Sequence, residues 1–280
     1  MGFGVSHGAI TVINAIPCGT GSTIGIALRT TATFTPGGPV KNIKILNDPA
    51  EDTGMARICV DTALRHIGKD LSGWTLEVDS EIPVSRGLKS SSSACNAIIS
   101  AVLEEYNFKM DQIEMIRMGV NCARSAGVTV TGAFDDACGC HLGGLIITDN
   151  EKDEIIESRD IGEYDVIIHV PDHKTRKQSI SKEMFAPIRD KMKEVIAMAS
   201  SDIFGAMNLN GSLISSILSD DDSEVDSIVK FALSHGALAA GLSGTGPGIA
   251  IITEKGYGEI LAESLGGSII TKTRGLSIEL

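Results

Sequence analysis

The sequence predicts an α+β protein of two lobes, and three observations carry that reading. The chain has 280 residues, 42% hydrophobic and 21% charged, enough for one large or two modest globular domains with a sizeable buried core. Strand-like and helix-like stretches mix without strict βαβ alternation, which disfavours a doubly wound sheet. Charge rises sharply between Asn150 and Asp165, and the boundary is placed there, near residue 157, giving lobes 1–157 and 158–280.

Taken in order, Gly8 to Ala15, Thr23 to Phe34 and Asn42 to Leu46 are β-branched, glycine-punctuated runs that read as antiparallel strands. Asp52 to His66 follows as a helix, because Ala56, Val60, Ala63 and Ile67 share one face. Trp74 to Val78 alternates like a strand. Ser91 to Tyr106 carries Ala94, Ala97, Ile98, Ala101 and Val102 on one side, a helix with a small-residue face buried. A further helix spans Asp111 to Ser125, and Gly143 to Thr148 returns as a strand. The second lobe reads as a strand (Tyr164 to Val170), helices (Arg189 to Ala199, Phe204 to Leu218, Glu224 to His235), two strands (Leu238 to Leu242, Gly248 to Thr253), a helix (Tyr257 to Leu265) and a strand (Ser268 to Lys272).

Composition narrows the function. Lys+Arg 24 against Asp+Glu 36 gives a net charge of -12, which repels a phosphate backbone and argues against a nucleic-acid binder. Aromatic residues, at 4%, are too few for base stacking. No apolar run reaches membrane-span length and Met1 to Ile10 has no basic n-region, so the expectation is a soluble cytoplasmic protein without a membrane partner. Six scattered cysteines read as buried free thiols.

Three segments carry chemistry. Pro83 to Ser93 lies between a strand and a helix, where unpaired N–H groups, the positive end of the macrodipole and serine hydroxyls together make an anion site. A serine N-cap alone would need fewer serines, and the segment is not a Walker A loop, because Leu88 stands where a glycine should precede the lysine. Thr129 to Ala137 places Asp135 and Asp136 just beyond a glycine turn. There one acid can accept a hydroxyl proton while the other holds a metal; a plain helix N-terminus would also favour both. Ala240 to Gly248 alternates glycines and suits either a tight β connection or close approach to a phosphate. Four weaker signals point to structure instead. Gly19 to Gly25 misses the dinucleotide spacing, and Cys138-Gly139-Cys140-His141 lacks a second ligand pair. Asp172 to Lys177 and the acidic Ser219 to Asp226 read as solvated loops.

The pattern P-x-x-x-G-L-x-S-S-S resembles the phosphate loop of the galactokinase, homoserine kinase, mevalonate kinase and phosphomevalonate kinase superfamily. The resemblance implies a two-lobed kinase fold, with a first lobe like ribosomal protein S5 domain 2 and a ferredoxin-like second lobe. It implies that Pro83, Val84, Ser85, Arg86, Gly87, Leu88, Lys89, Ser90, Ser91, Ser92 and Ser93 form the ATP loop. Gly244, Thr245 and Gly246 match the S-G-x-G-P motif that closes on the nucleotide, and Asp135 aligns with the catalytic aspartate. Ser91 and Asp136 are the Mg²⁺ candidates.

Gly8 to Ile16, Gly19 to Ser22, Thr129 to Ala137 and Gly241 to Pro247 are similar to the archaeal-type shikimate kinases. That subgroup implies transfer of the ATP γ-phosphoryl to the shikimate 3-hydroxyl, with Asn14, Thr131 and Asp135 at the acceptor. Homoserine or mevalonate kinase is the alternative. Mevalonate kinases carry a lysine near the N-terminus and a glutamate ahead of the aspartate segment, where this chain has Ser6 and His7, and Cys122 to Ser125. The acceptor carboxylate calls for a cation, with Arg86, Lys89, Arg124 and Arg274 as candidates.

Overall fold

The computed structural model describes residues 1–84, 86–129, 132–170, 180–218, 222–266 and 268–277. The fold is mixed α and β, organised around two sheets. The first is six-stranded. Its long central strand β2 (Thr20–Pro36) pairs from Ser22 to Phe34 with β1 (Gly2–Ile13), and on its other side with β4 (Trp74–Ser80) and β5 (Leu145–Asp149). β3 (Lys41–Ile45) and β6 (Glu154–Arg159) are the edges beyond β4 and β5. The second sheet has the order β10-β7-β9-β8, from β7 (Asp165–His169), β8 (Ala239–Leu242), β9 (Ile249–Thr253) and β10 (Ser268–Lys272).

Four helices cover one face of the first sheet: α1 (Gly54–His66), α2 (Ser90–Glu105), α3 (Gln112–Ser125) and α4 (Phe134–Leu142). Asp111 caps α3 by accepting from the amides of Ile113 and Glu114 at 2.9 and 3.1 Å. Between these helices and the sheet lies a core built on Phe34, Trp74, Ile98, Val102 and Phe134. A second core joins the two sheets. Ile10, Ile13, Ile24 and Ile26 of the first meet Val166, Ile168, Ala250 and Ile252 of the second, together with α5 (Arg189–Met198) and α6 (Ile203–Leu218). The far face of the second sheet (Ile167, Ile249, Ile251) packs on α7 (Asp222–Ser234) and α8 (Gly258–Leu265). Burial on both faces explains why Ile249–Thr253 is apolar almost without alternation.

Several expectations need correction. β3 pairs with β4 in parallel, because the chain between them crosses over through α1. α4 is a helix that periodicity overlooked, since Gly139 interrupts it with a poor helix former. That glycine is required where it stands: a Cβ there would collide with the Thr23 hydroxyl of β2. The charged stretch after Asn150 contains the edge strand β6, and residue 157 falls inside it. A 3₁₀ helix, Lys182–Ile188, precedes α5 without a sequence signal having marked it. Asp172 to Lys177 and 219–221 lie outside the described residues, and Asp222 already begins α7. Five cysteines are buried free thiols, whereas Cys18 is partly exposed.

Candidate active site

Three segments far apart in sequence meet over one cavity of about 440 Å³. The start of α2 supplies Gly87, Lys89, Ser90, Ser91 and Ser92; the start of α4 supplies Ala133, Asp135 and Asp136; the turn between β8 and β9 supplies Gly244 and Thr245. Thr11 and Asn14, at the end of β1, close its floor. Helix geometry leaves the first amides of α2 without intrahelical acceptors, and no side chain caps them. The positive end of α2 therefore faces the cavity beside three serine hydroxyls, an arrangement suited to phosphate.

Asp135 is buried, 4% exposed, and held from several directions. Asn150 Nδ2 donates to Asp135 Oδ1 at 2.6 Å, while Asn150 Oδ1 accepts from the Asp135 amide at 3.1 Å and from the Thr148 hydroxyl at 2.6 Å. The Thr23 hydroxyl donates to the Asp135 carbonyl at 2.9 Å. Gly21 leaves room for the carboxylate, which a Cβ at that position would strike. Burial first, then the adjacent Asp136 carboxylate, push the Asp135 pKa up to about 7, against the opposing pull of Lys89 and the Asn150 hydrogen bond. Lys89 Nζ lies 2.9 Å from Asp136 Oδ1, with the lysine side chain only 7% exposed. Burial works against its ammonium, yet Asp136 and Asp135 outweigh that and hold its pKa above the ordinary lysine value.

The glycine-rich turn is locked to the first sheet and to the serine loop. Ser243 Oγ donates to the Gly87 carbonyl at 2.8 Å and accepts from the Thr11 amide at 3.3 Å. The Gly244 amide donates to Thr11 Oγ1 and its carbonyl accepts from Asn14 Nδ2, both at 2.9 Å. Gly87 has φ 77° and a Cβ there would meet the Ser243 carbonyl, so glycine alone permits this approach.

Residues 55–144 match the family described as GHMP kinases N terminal domain, and residues 206–268 match GHMP kinases C terminal. The chain belongs to the GHMP kinase family. Among relatives of this GHMP kinase, the shikimate kinase of Methanothrix thermoacetophila is 38% identical over 282 residues, covering 96% of this chain and 92% of that protein. The shikimate kinase of Pyrococcus furiosus is 37% identical over 278 residues, covering 98% and 99%. The crystal structure of the Methanococcus jannaschii mevalonate kinase shares the fold, with a TM-score of 0.80 at 17% identity over 98% of each chain. A GHMP kinase with these relatives is an ATP-dependent small-molecule kinase.

Not every residue singled out in the sequence of this GHMP kinase reaches the cavity. Val84 lines it, but Pro83 and Arg86 are absent from its walls. The Leu88 side chain is 1% exposed and packs in the core that includes Ile10 and Ile82. Ser93 is fully buried and its hydroxyl finds no partner. Gly246 turns its amide to the Ser243 carbonyl at 3.0 Å, away from the walls. Ser85 and Thr131 lie outside the described residues.

Of the four candidate cations, only Lys89 lines the cavity. Arg124 forms a two-pronged ion pair with Asp153, at 2.7 and 2.8 Å, and Arg274 donates to carbonyls of α4. Asn150, Thr11 and Glu51 escaped sequence reasoning. Thr11 lies within the Gly8 to Ile16 stretch but was not singled out there, Asn150 carries no local motif and follows the β5 pairing to the site, and Glu51 lines the cavity from the loop before α1. No helix among the described residues is long and apolar enough to cross a membrane.

Proposed function

We propose that the protein is a cytoplasmic shikimate kinase, transferring the γ-phosphoryl of ATP to the 3-hydroxyl of shikimate. The observation that supports it best is the convergence of the serine loop, the paired acids and the glycine-rich turn on one cavity, in a chain whose relatives are shikimate kinases. In this reading the amides and hydroxyls of Ser90, Ser91 and Ser92 hold the nucleotide phosphates, and residues 1–157 carry most of that contact. Thr245 closes over them from the second lobe, 158–280. Asn14 and Asp135 face the acceptor.

Asp135 is the general base. It takes the proton of the attacking hydroxyl as the new O–P bond forms and the bond to ADP breaks, and a pKa of about 7 matches a base that must accept a proton near neutrality. Lys89, paired with Asp136 and close to the phosphate loop, lends positive charge where negative charge gathers.

Mg²⁺ fits the donor set. The Ser91 hydroxyl and the Asp136 carboxylate are hard oxygen ligands on the same cavity. When bound, Mg²⁺ supplies charge neutralisation between the phosphate groups.

The test is a coupled ADP-release assay with shikimate, mevalonate, homoserine and galactose as acceptors. Turnover on shikimate, with the others near background, is expected. Preference for mevalonate or homoserine would overturn the substrate assignment while leaving the kinase chemistry in place.

A further inference from the structure

The first turn of α4 carries Asp135 and Asp136, and the opposite end of that helix is held by chain arriving from the second sheet. After β10 the backbone turns back across the first sheet. Thr273 anchors it there. The Thr273 amide donates to the Tyr164 carbonyl at 3.0 Å, and its hydroxyl donates to the Gly162 carbonyl at 2.9 Å. The Arg274 amide then donates to Gly25 O at 2.8 Å, the Gly25 amide to Gly144 O at 3.0 Å, and the Gly144 amide to Arg274 O at 2.8 Å. These three bonds close a ring joining the tail, β2 and the turn after α4. The glycines around it leave no room for side chains: a Cβ on Gly25 would sit 2.6 Å from Gly143 Cα, and a Cβ on Gly143 would meet the Gly275 carbonyl.

From that ring the Arg274 guanidinium reaches the last turn of α4. Its Nη2 donates to Cys140 O at 3.2 Å and to His141 O at 2.7 Å, while the Ser277 amide donates to Leu142 O at 2.7 Å. The final carbonyls of a helix lack intrahelical donors and attract a cation. His141, in the same turn, has its pKa lowered to about 4 by burial and then by Arg274, so the positive charge comes from the arginine. Arg274 neither lines the cavity nor has its Nη2 free for a ligand, which sets it apart from the acceptor.

We infer that Arg274 is a positioning residue for phosphoryl transfer: through the 273–277 tail it fixes the C-terminal end of α4 and so sets where Asp135 stands in the cavity. This rests on the reading of Asp135 as the base. At 1.5 Å per residue the helix carries Asp135 only about 9 Å from His141, so a tilt released at one end displaces the carboxylate at the other. A shift of about 1 Å at a reacting group costs up to about 10²-fold in rate.

The test compares full-length Arg274→Ala, Arg274→Gln and Arg274→Lys by steady-state kinetics, with amide hydrogen exchange followed over 134–142. Arg274→Ala should lose about 10-fold to 10²-fold in kcat while KM for ATP and for the acceptor stays within about 3-fold. Exchange in α4 should quicken, and Arg274→Lys, which keeps charge and donor, should recover most of the rate. If Arg274→Ala does not fold, Arg274→Gln carries the test with a several-fold loss of kcat at unchanged KM. Full kcat in folded Arg274→Ala or Arg274→Gln overturns the inference. So does a raised acceptor KM at full kcat, which would put the guanidinium on the substrate. Asp135→Asn run alongside separates the failures. If it keeps full rate, the base assignment falls and this inference with it; if it is crippled beside a full-rate Arg274→Ala, only the positioning role is lost.

Discussion

Asp135 stands under opposing pressures, with burial and Asp136 favouring the protonated acid and Lys89 and Asn150 favouring the carboxylate. With a pKa of about 7, it is protonated and unable to accept a proton on the acid side, so kcat/KM should fall as pH drops below about 7. Lys89→Met removes a charge that lowers that pKa, and the acid limb should then move to higher pH. Asp135→Asn should cut kcat by roughly 10² to 10⁴-fold with ATP binding retained. The same group shapes stability with a definite sign. Its folded pKa is raised above 3.8, so its stabilising contribution is complete below about 3.8 and is lost as pH climbs to about 7. Thermal melts at pH 5 and pH 8 should show a smaller difference for Asp135→Asn than for the parent. Asp136→Asn should raise the Mg²⁺ concentration needed for half-maximal rate, because a hard anionic ligand is lost; an unchanged requirement would remove Asp136 from the metal. Both acids were legible because they adjoin a glycine turn. Asn150, which holds Asp135 at 2.6 Å, was not, since fifteen residues and a strand pairing separate the two.

The serine loop and the 243–248 turn act as a pair of elements. Ser91 and Ser92 face the cavity, whereas Leu88 between the glycine and the lysine anchors the loop in the core. Replacing both serines by alanine should weaken ATP binding while the melting temperature holds, and calorimetric titration against ATP-Mg²⁺ would expose the opposite outcome. Gly87→Ala should do more. Its φ of 77° resists a side chain and the added methyl would strike the Ser243 carbonyl, so loop and turn must part. A cost of about 1–3 kcal/mol in stability is expected, together with a sharp loss of kcat/KM for ATP. The spacing of glycines and serines exposed these elements in the sequence, because the residues that each brings to the cavity are contiguous. α4 was signalled only by its paired N-terminal acids and not by its periodicity, because Gly139 is there to accommodate Thr23 of another element, a tertiary demand that overrides helix propensity. β6 was masked by its charged residues, Glu154, Glu157 and Arg159, although it is an edge strand with Glu157 and Arg159 half-buried and paired at 3.2 Å.

At the scale of the whole molecule, the two lobes read from the sequence share more than a linker. Ile10, Ile13, Ile24 and Ile26 of the first sheet bury their side chains against Val166, Ile168 and Ile252 of the second, so each sheet's facing side is covered by the other half. Polar ties reinforce this. The Asn14 amide donates to Asn210 Oδ1 at 2.8 Å, the Ser243 hydroxyl bridges Gly87 and Thr11, and the 273–277 tail returns to α4. Composition shows that a core exists but is silent on which side of a charged stretch its partners lie. A division near residue 157 therefore separates chain segments without separating cores. Scanning calorimetry of the full chain should accordingly show one cooperative transition, with ATP raising it as a unit. Expressed alone, residues 1–157 should fail to give a stable fold, because the cut truncates β6 and leaves the isoleucines of β1 and β2 facing water at about 25 cal/mol per Å² of apolar surface. Co-expression of 1–157 with 158–280 should restore a soluble complex. A sharp, denaturant-sensitive melt of the isolated 1–157 fragment would instead show that the α1–α4 core suffices, and that the shared core between the sheets serves to align the two sheets rather than to hold the first lobe together.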